Sequence, residues 1–369
     1  MFSRTRSLGV ATLLLLLAVA CSEDEPLGTL SDPAGVTADV SALDSVFASP
    51  VFESFGVMSQ RMPGIAGAAA AGTLPRRRLL SQTPEARSAE DVRALARLAP
   101  LFSAAAPQDS FLPDSVLGTY EWDTTASAYA KTARPGAPAN TIRFILYKVD
   151  SLTGEPAVPL DEVGYADLTD NQPVGTNASL GIVVRDSAGT TTYLDYDLTV
   201  SLTASGITMQ TAGFVADGVG HQMDFSIVAV VTGNNTQALV SIDADFSLNQ
   251  PDVGVEVRDR ASLTATTITV TRDFRLHRGT ETIRITGTVT ITENPPGTLT
   301  VTLTVVVRVN GGIFATITGN GTVVTVTKAD GTALTADEQA ALAALIDATD
   351  AFWSSIETLF EPSEVMLGS

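Results

Sequence analysis

Few side chains in this sequence have the types and spacing that catalysis requires. The chain contains two histidines, His221 and His277, and one cysteine, Cys21, among 369 residues. Each histidine lies beside a predicted turn, without the positioned nucleophile or carboxylate that a general base needs as its partner. One cysteine cannot form an intrachain disulfide, and it excludes zinc or iron–sulfur sites built from several cysteines. We therefore predict that the chain is not an enzyme and uses no cofactor.

Pairs of aspartates are the remaining candidates for a metal site. Asp195 and Asp197 are separated by one residue within a predicted strand, as are Asp243 and Asp245, so each pair lies on one strand face. Calcium takes oxygen ligands, but six or more must converge on one ion. A solvated sheet face explains both pairs more simply, and we predict no metal site. The same interpretation applies to a third polar group, formed by Asp167, Asp170 and Asn171.

The charge balance excludes other classes of function. There are 22 Lys and Arg residues against 41 Asp and Glu residues, a formal net charge of −19. Nucleic-acid binding needs a basic face, so we predict no nucleic-acid partner. The densest basic segment, Arg76–Arg78, could contact a phosphate or a lipid headgroup, but a solvated loop is the simpler interpretation.

The first 21 residues are organised as an export signal. Arg4 and Arg6 precede a mostly apolar run from Leu8 to Ala20. This run is too short to span a bilayer, which takes about 20 apolar residues. Small residues, from Ala18 to Ala20, lie immediately before Cys21. The only thiol of the chain is thus placed at the expected cleavage junction.

Residues 1–21 resemble the lipobox signal peptide of bacterial lipoproteins, in which the cysteine after the cleavage site carries the lipid. Ala18 occupies the position where leucine is usual, and Leu17 lies one residue earlier. The resemblance implies that Cys21 is the mature N-terminus, acylated by chains such as palmitate and anchored in the cell envelope. Ser22 replaces the aspartate that marks inner-membrane retention in enterobacterial lipoproteins, which favours the outer membrane and leaves its periplasmic or surface face open. The alternative is ordinary secretion with an unmodified cysteine.

The rest of the chain divides into an N-terminal helical region and a sheet. Threonine makes up 20 of the 66 residues from 262 to 327, and it alternates there with Val, Ile and Leu. This period of two predicts strands with one buried and one wet face. We predict a flexible acidic tether at 22–38, followed by a helical region with a linker at 39–116. This region contains helix 39–61, broken at Pro50, and helix 88–105. A sheet domain follows at 117–369 and ends in helix 336–361.

We predict an α+β fold with a large antiparallel, curved or half-barrel-like sheet of about ten strands, packed against the C-terminal and N-terminal helices. Short turns between long strands favour antiparallel neighbours. A two-residue turn at Arg278-Gly279 would place Asp273 opposite Arg284. At the level of pattern, this is similar to bacterial lipoprotein carriers in which a half-barrel wraps helices around a lipid cavity.

Two functional hypotheses follow. The first is a membrane-anchored exported lipoprotein that binds an apolar ligand or lipid between sheet and helices. The second is a structural or interaction lipoprotein that acts through its Thr-rich sheet face or a sheet edge and has no small-molecule site. Both place the chain at a membrane through Cys21, and both leave the protein partner open.

Overall fold

The structure is a computed structural model that describes residues 26–62, 112, 114–171, 177–203, 206–233, 237–264, 266–294, 298–320, 323–348 and 358–359. Cys21 and the whole signal segment 1–21 lie outside the described residues. So do Arg76–Arg78 and the predicted helix 88–105.

Two helices precede the sheet. Helix α1 (Pro33–Ser45) is followed by a short 3-10 turn, Val46–Ala48, and by helix α2 (Pro50–Arg61). The side chain of Asp32 caps α1, and the side chain of Ser49 caps α2. A proline at the first position suits both helices, because the first backbone N–H has no partner within a helix. The predicted break at Pro50 is confirmed, whereas α1 begins inside the segment that was predicted to be a tether.

Seventeen strands follow among the described residues. Their bounds are β1 (Gly118–Asp123), β2 (Ala128–Thr132), β3 (Thr141–Tyr147), β4 (Val149–Asp150), β5 (Glu155–Pro156), β6 (Glu162–Asp170), β7 (Asn177–Asp186), β8 (Thr192–Thr203), β9 (Gly206–Ala216), β10 (Gln222–Gly233), β11 (Gln237–Leu248), β12 (Val253–Thr264), β13 (Thr267–Arg278), β14 (Glu281–Asn294), β15 (Thr298–Val309), β16 (Gly312–Asn320) and β17 (Val323–Lys328).

Fifteen of these strands form one sheet, in the order β17-β16-β15-β14-β13-β12-β11-β10-β9-β8-β7-β6-β3-β1-β2. All neighbours pair antiparallel except β1 and β3, which are parallel. The α+β class with a large sheet therefore holds, but the predicted count of about ten strands is too low and the sheet is mixed. The two remaining strands, β4 and β5, form a small hairpin between β3 and β6.

The β13–β14 hairpin differs in register from the prediction. Arg278 pairs with Glu281, so the turn residues are Gly279 and Thr280, and Asp273 lies opposite Thr286. The shift is two residues, which leaves every side chain on its predicted face because the side-chain period of a strand is also two. Arg284 still reaches Asp273 diagonally, at 2.7 Å.

One face of the sheet, which we call the inner face, joins the helices in a single hydrophobic core. Strand β10 illustrates the alternation, because every second residue from Met223 to Val231 is buried. The helices contribute apolar side chains that are fully or almost fully buried: Val36, Leu43 and Val46 from the α1 segment, and Phe55 and Met58 from α2. The opposite, outer face carries most of the threonines and most charged side chains of the strands.

A third helix, α3 (336–348), follows the sheet. The predicted capping box is present, because the Thr335 N–H donates to Glu338 Oε2 at 2.8 Å and the Glu338 N–H donates to Thr335 Oγ1 at 3.2 Å. Residues 349–357 lie outside the described residues, and 358–359 are again helical. The hydroxyl of Tyr196 in β8 donates to the Leu359 carbonyl at 2.6 Å, which ties this later segment to the inner face.

The first described residues are held at one end of the sheet. The Gly28 N–H donates to the Ile313 carbonyl at 2.7 Å, and the Ile313 N–H donates to the Pro26 carbonyl at 2.8 Å. We call this end, formed by the turns at 187–191, 217–221, 249–252, 279–280 and 310–311, the turn end. Residues 26–38 are therefore structured, and at most residues 22–25 of the predicted tether separate Cys21 from the folded body.

Candidate functional site

The inner face is the surface on which the predicted ligand site would lie. Helix α2 contacts β2, β3, β4, β6, β7 and β8, and the 3-10 turn contacts β9. The Ser54 hydroxyl accepts a hydrogen bond from the Tyr147 N–H at 3.0 Å, which fixes α2 on β3. Phe55, Phe144 and Tyr196 have at most 2% of their surface exposed. Side chains thus fill the space between α2 and these strands.

Burial decreases towards the β17 edge. In β15, Val307 and Val309 are buried near the turn end, whereas the next three inner-face residues of that strand are only partly buried. In β17, Val324 and Val326 are 53% and 44% exposed. We call this partly uncovered apolar surface the open strip, and its residues are Val289, Val301, Leu303, Val305, Val324 and Val326. These residues lie on one face of β14, β15 and β17, and on the same face of the intervening strand β16 lie Gly319 and the buried Ile317, so the surface is apolar throughout.

An ion pair interrupts the apolar inner face beside the open strip. Arg272 of β13 lies opposite Asp259 of β12, and its Nη2 is 2.9 Å from Asp259 Oδ2. The Nε of the same guanidinium donates to both carboxylate oxygens, at 3.0 and 3.2 Å. Only 7% of the Asp259 side chain is exposed. A buried carboxylate needs such a partner, because an unpaired charge in an apolar interior is costly. This pair was not predicted from the sequence, although Asp259 stands at an inward position of β12.

The outer face carries a network of ion pairs across β11, β12, β13 and β14. Arg258 Nη2 is 2.6 Å from Asp245 Oδ1, and Arg260 Nη2 is 2.7 Å from Asp243 Oδ1. Asp243 and Asp245 therefore form ion pairs with arginines, and they do not converge on a shared metal position. Arg275 of β13 pairs with Glu256 of β12 and with Asp273 of its own strand, and Arg284 of β14 also pairs with Asp273. Cross-strand pairs of this kind stabilise a sheet and fix its register.

The remaining acidic candidates do not form one cluster. Asp167 is paired through both oxygens with Arg143, at 2.6 Å each, and Asp170 accepts a hydrogen bond from the Leu112 N–H at 3.0 Å. Asp197 accepts a hydrogen bond from Asn171 at 2.9 Å. Within the part of the chain that the structure describes, no three His, Cys, Asp or Glu side chains come together as a metal site.

Both histidines have local partners. The carboxylate of Asp217 binds the His221 ring and accepts the backbone N–H groups of Val219, Gly220 and His221. Partial burial disfavours the charged carboxylate, but the hydrogen bonds from the His221 ring and the backbone outweigh it and lower the pKa of Asp217. His277 contacts the Thr282 hydroxyl at 3.2 Å. The first arrangement closes a rigid turn, and the second lies within a cross-strand pair.

No helix among the described residues is both long enough and apolar enough to cross a membrane. Comparison with known proteins found no matching family model, no matching curated protein and no matching solved structure.

Proposed function

We propose that this chain is an exported lipoprotein, anchored in the outer membrane through acylated Cys21, and that its sheet binds an apolar ligand or lipid at the open strip. The open strip is the observation that supports ligand binding. Its apolar side chains continue the core beyond the helices, and Val324 and Val326 are exposed. A continuous, partly covered apolar surface is the kind that acyl chains occupy.

A curved, half-barrel-like sheet is part of this proposal. The segment that contains α1 and α2 bonds to the β13–β14 hairpin through Arg278 and to β3 through Ser54. One short helical segment thus touches strands that are far apart in the sheet order, which is expected if the sheet wraps around it. Wrapping would turn the open strip towards the helices and shelter a bound chain from water.

The anchor is tested by metabolic labelling with an alkyne palmitate. The wild-type chain should incorporate the label and sediment with membranes. Cys21→Ser should lose both the label and the membrane association. An unlabelled wild-type chain would contradict the proposed anchor and support ordinary secretion.

Ligand binding is tested by native mass spectrometry of the unlipidated mature chain, with Cys21 removed, and by exchange of a fluorescent fatty acid. We expect a co-purified lipid mass. The double variant Val324→Thr/Val326→Thr keeps the side-chain shape but makes the open strip polar, so it should bind the probe more weakly. Val323→Thr changes the outer face of the same strand and is the matched control. A bare mass, with equal exchange by all variants, would refute this site.

The alternative function, an interaction lipoprotein, is supported by the β17 edge. Among the described residues β17 pairs with β16 alone, and the sequence from Val323 to Thr327 has no charge or proline. Proteins usually protect edge strands with such residues, so an unprotected edge is suited to strand addition by a partner. A photocrosslinker at Val323 should then give a protein adduct in cells, whereas one at Thr302, within the sheet, should not.

A further inference from the structure

The contacts of residues 26–32 determine which end of the sheet lies nearest the anchor. Pro26 and Gly28 bond to Ile313, next to the turn at 310–311. Asp32 is 3.1 Å from Arg278 Nη2, next to the turn at 279–280. The first described residues are thus attached to the turn end of β13, β14 and β16.

The short distance along the chain from Cys21 limits how far this end can stand from a membrane. Cys21 precedes Pro26 by five residues, and a fully extended chain spans at most about 18 Å over that length. Strands such as β14 and β15 are about 40 Å long, at about 3.3 Å per residue. With the acyl chains in the bilayer, the turn end near Ile313 is therefore confined close to the headgroups, whereas the opposite ends of the strands are not.

Exposed apolar side chains project from the same end. Leu152 is 94% exposed at the tip of the β4–β5 hairpin, and Val158 in the same connection is 74% exposed. Val219 is 83% exposed in the turn between β9 and β10, and Leu27 beside the anchor is 63% exposed. Two of these positions are held firmly: Arg61 of α2 pairs with Glu155 of the hairpin at 2.8 Å, and Asp217 binds three backbone N–H groups of the Val219 turn.

We propose that the turn end rests on the membrane surface, with Leu152, Val158 and Val219 inserted at the lipid interface. This proposal rests on the proposed anchor at Cys21. Apolar side chains gain free energy from leaving water at the interface, and a second contact beside a lipid anchor restricts the orientation of the body. The turns of this end contain Asp217 and Asp252, and the connection from β3 to β6 adds Asp150, Glu155 and Asp161 against one lysine, Lys148, so this surface has an excess of acidic residues. Anionic lipids would repel such a surface, so the lipid that it contacts is zwitterionic.

The experiment uses the acylated full chain in vesicles of zwitterionic phosphatidylcholine and phosphatidylethanolamine that contain a nitroxide-labelled lipid. An environment-sensitive fluorophore is attached to Val219→Cys, Leu152→Cys or Val323→Cys. Val323 is the matched control, because it is an exposed valine, 67% accessible, at the opposite end of the strands. At positions 219 and 152 we expect the nitroxide to quench the fluorophore and the emission maximum to shift to the blue. At position 323 we expect neither change. Anionic phosphatidylglycerol should reduce the effect.

Failure of this proposal can be distinguished from failure of the anchor. If the protein floats with the vesicles but positions 219 and 152 stay unquenched, the body stands off the surface, and the membrane contact is refuted while the anchor remains. Quenching at 323 alone would refute the orientation. If the parental chain fails to float and its Cys21 thiol reacts with maleimide, the anchor itself is refuted, and the membrane contact with it.

Discussion

Besides its apolar packing, α1 is joined to the sheet by an ion-pair cluster centred on Arg278, and removal of this arginine should destabilise the fold. Arg278 Nε is 2.6 Å from Asp39 Oδ2, and its Nη1 is 3.1 Å from Glu281 Oε2. The exposed fractions of these three side chains are only 16%, 15% and 9%, whereas Asp32, the third partner, is 57% exposed. Partial burial opposes the charged guanidinium, but its hydrogen bonds to the carboxylates outweigh this and raise the pKa of Arg278.

Arg278→Met would leave two largely buried carboxylates without their cation. Removing one partner of a buried ion pair costs about 3–5 kcal/mol. The pair with Asp32 adds little, because that side chain is exposed and water screens the interaction. Because the cluster keeps some contact with water, we expect the free energy of unfolding in urea to fall by about 3 kcal/mol, with an unchanged m-value.

A control and a rescue separate this reasoning from a general loss of charge. Arg260→Gln breaks an outer-face pair whose arginine is 49% exposed, and it should cost at most about 1 kcal/mol. Adding Asp39→Asn and Glu281→Gln to Arg278→Met removes the unpaired charges and should recover part of the loss. Equal effects of Arg278→Met and Arg260→Gln, or no recovery in the triple variant, would refute the reasoning.

Two further predictions concern a close strand approach and a helix cap. Gly213→Ala should lower the melting temperature strongly, because the new Cβ would lie 2.0 Å from the Asp195 carbonyl oxygen, whereas Gly254→Ala, with its nearest neighbour at 3.7 Å, should change it little. For Glu338, the hydrogen bond from the Thr335 N–H is the main cause of a lowered pKa. A lowered pKa gives stability that is present above the pKa of the unfolded chain and is lost as the pH falls through the folded value. Between about pH 5 and pH 3, the free energy of unfolding in urea should therefore fall less for Glu338→Gln than for wild type. An equal fall in both proteins would contradict this role of Glu338.

The face of most strand residues could be predicted from the sequence, because polar and apolar residues alternate, but the strand count and register could not. Polar and apolar residues alternate through segment 313–327 as they would in one strand, although Asn320-Gly321 inside it is a strong hairpin signal. The structure has two strands there, β16 and β17. The alternation of polar and apolar residues is the same before and after a two-residue turn, so periodicity alone does not locate the turn.

Strand β12 is hard to recognise from the sequence for a different physical reason. Arg258, Asp259 and Arg260 are consecutive charged residues, so the period of two disappears in the middle of the strand. The structure restores it, because Arg258 and Arg260 point to the outer face and Asp259 is neutralised within the core by Arg272. An inward position that carries a charge can be predicted only when its partner on the neighbouring strand is known. For the same reason the open strip could not be predicted, since it depends on which strands the helices cover.

The order of the sheet also determines how this chain can fold. From β6 to β17 every strand pairs with the next strand in sequence, so the contacts have low contact order and each hairpin closes a loop of only a few residues. Folding can therefore start at any hairpin and extend strand by strand in both directions. Among the described residues, distant segments meet where β1 pairs with β3, where the helices dock on the sheet and where residues 26–28 bond to β16.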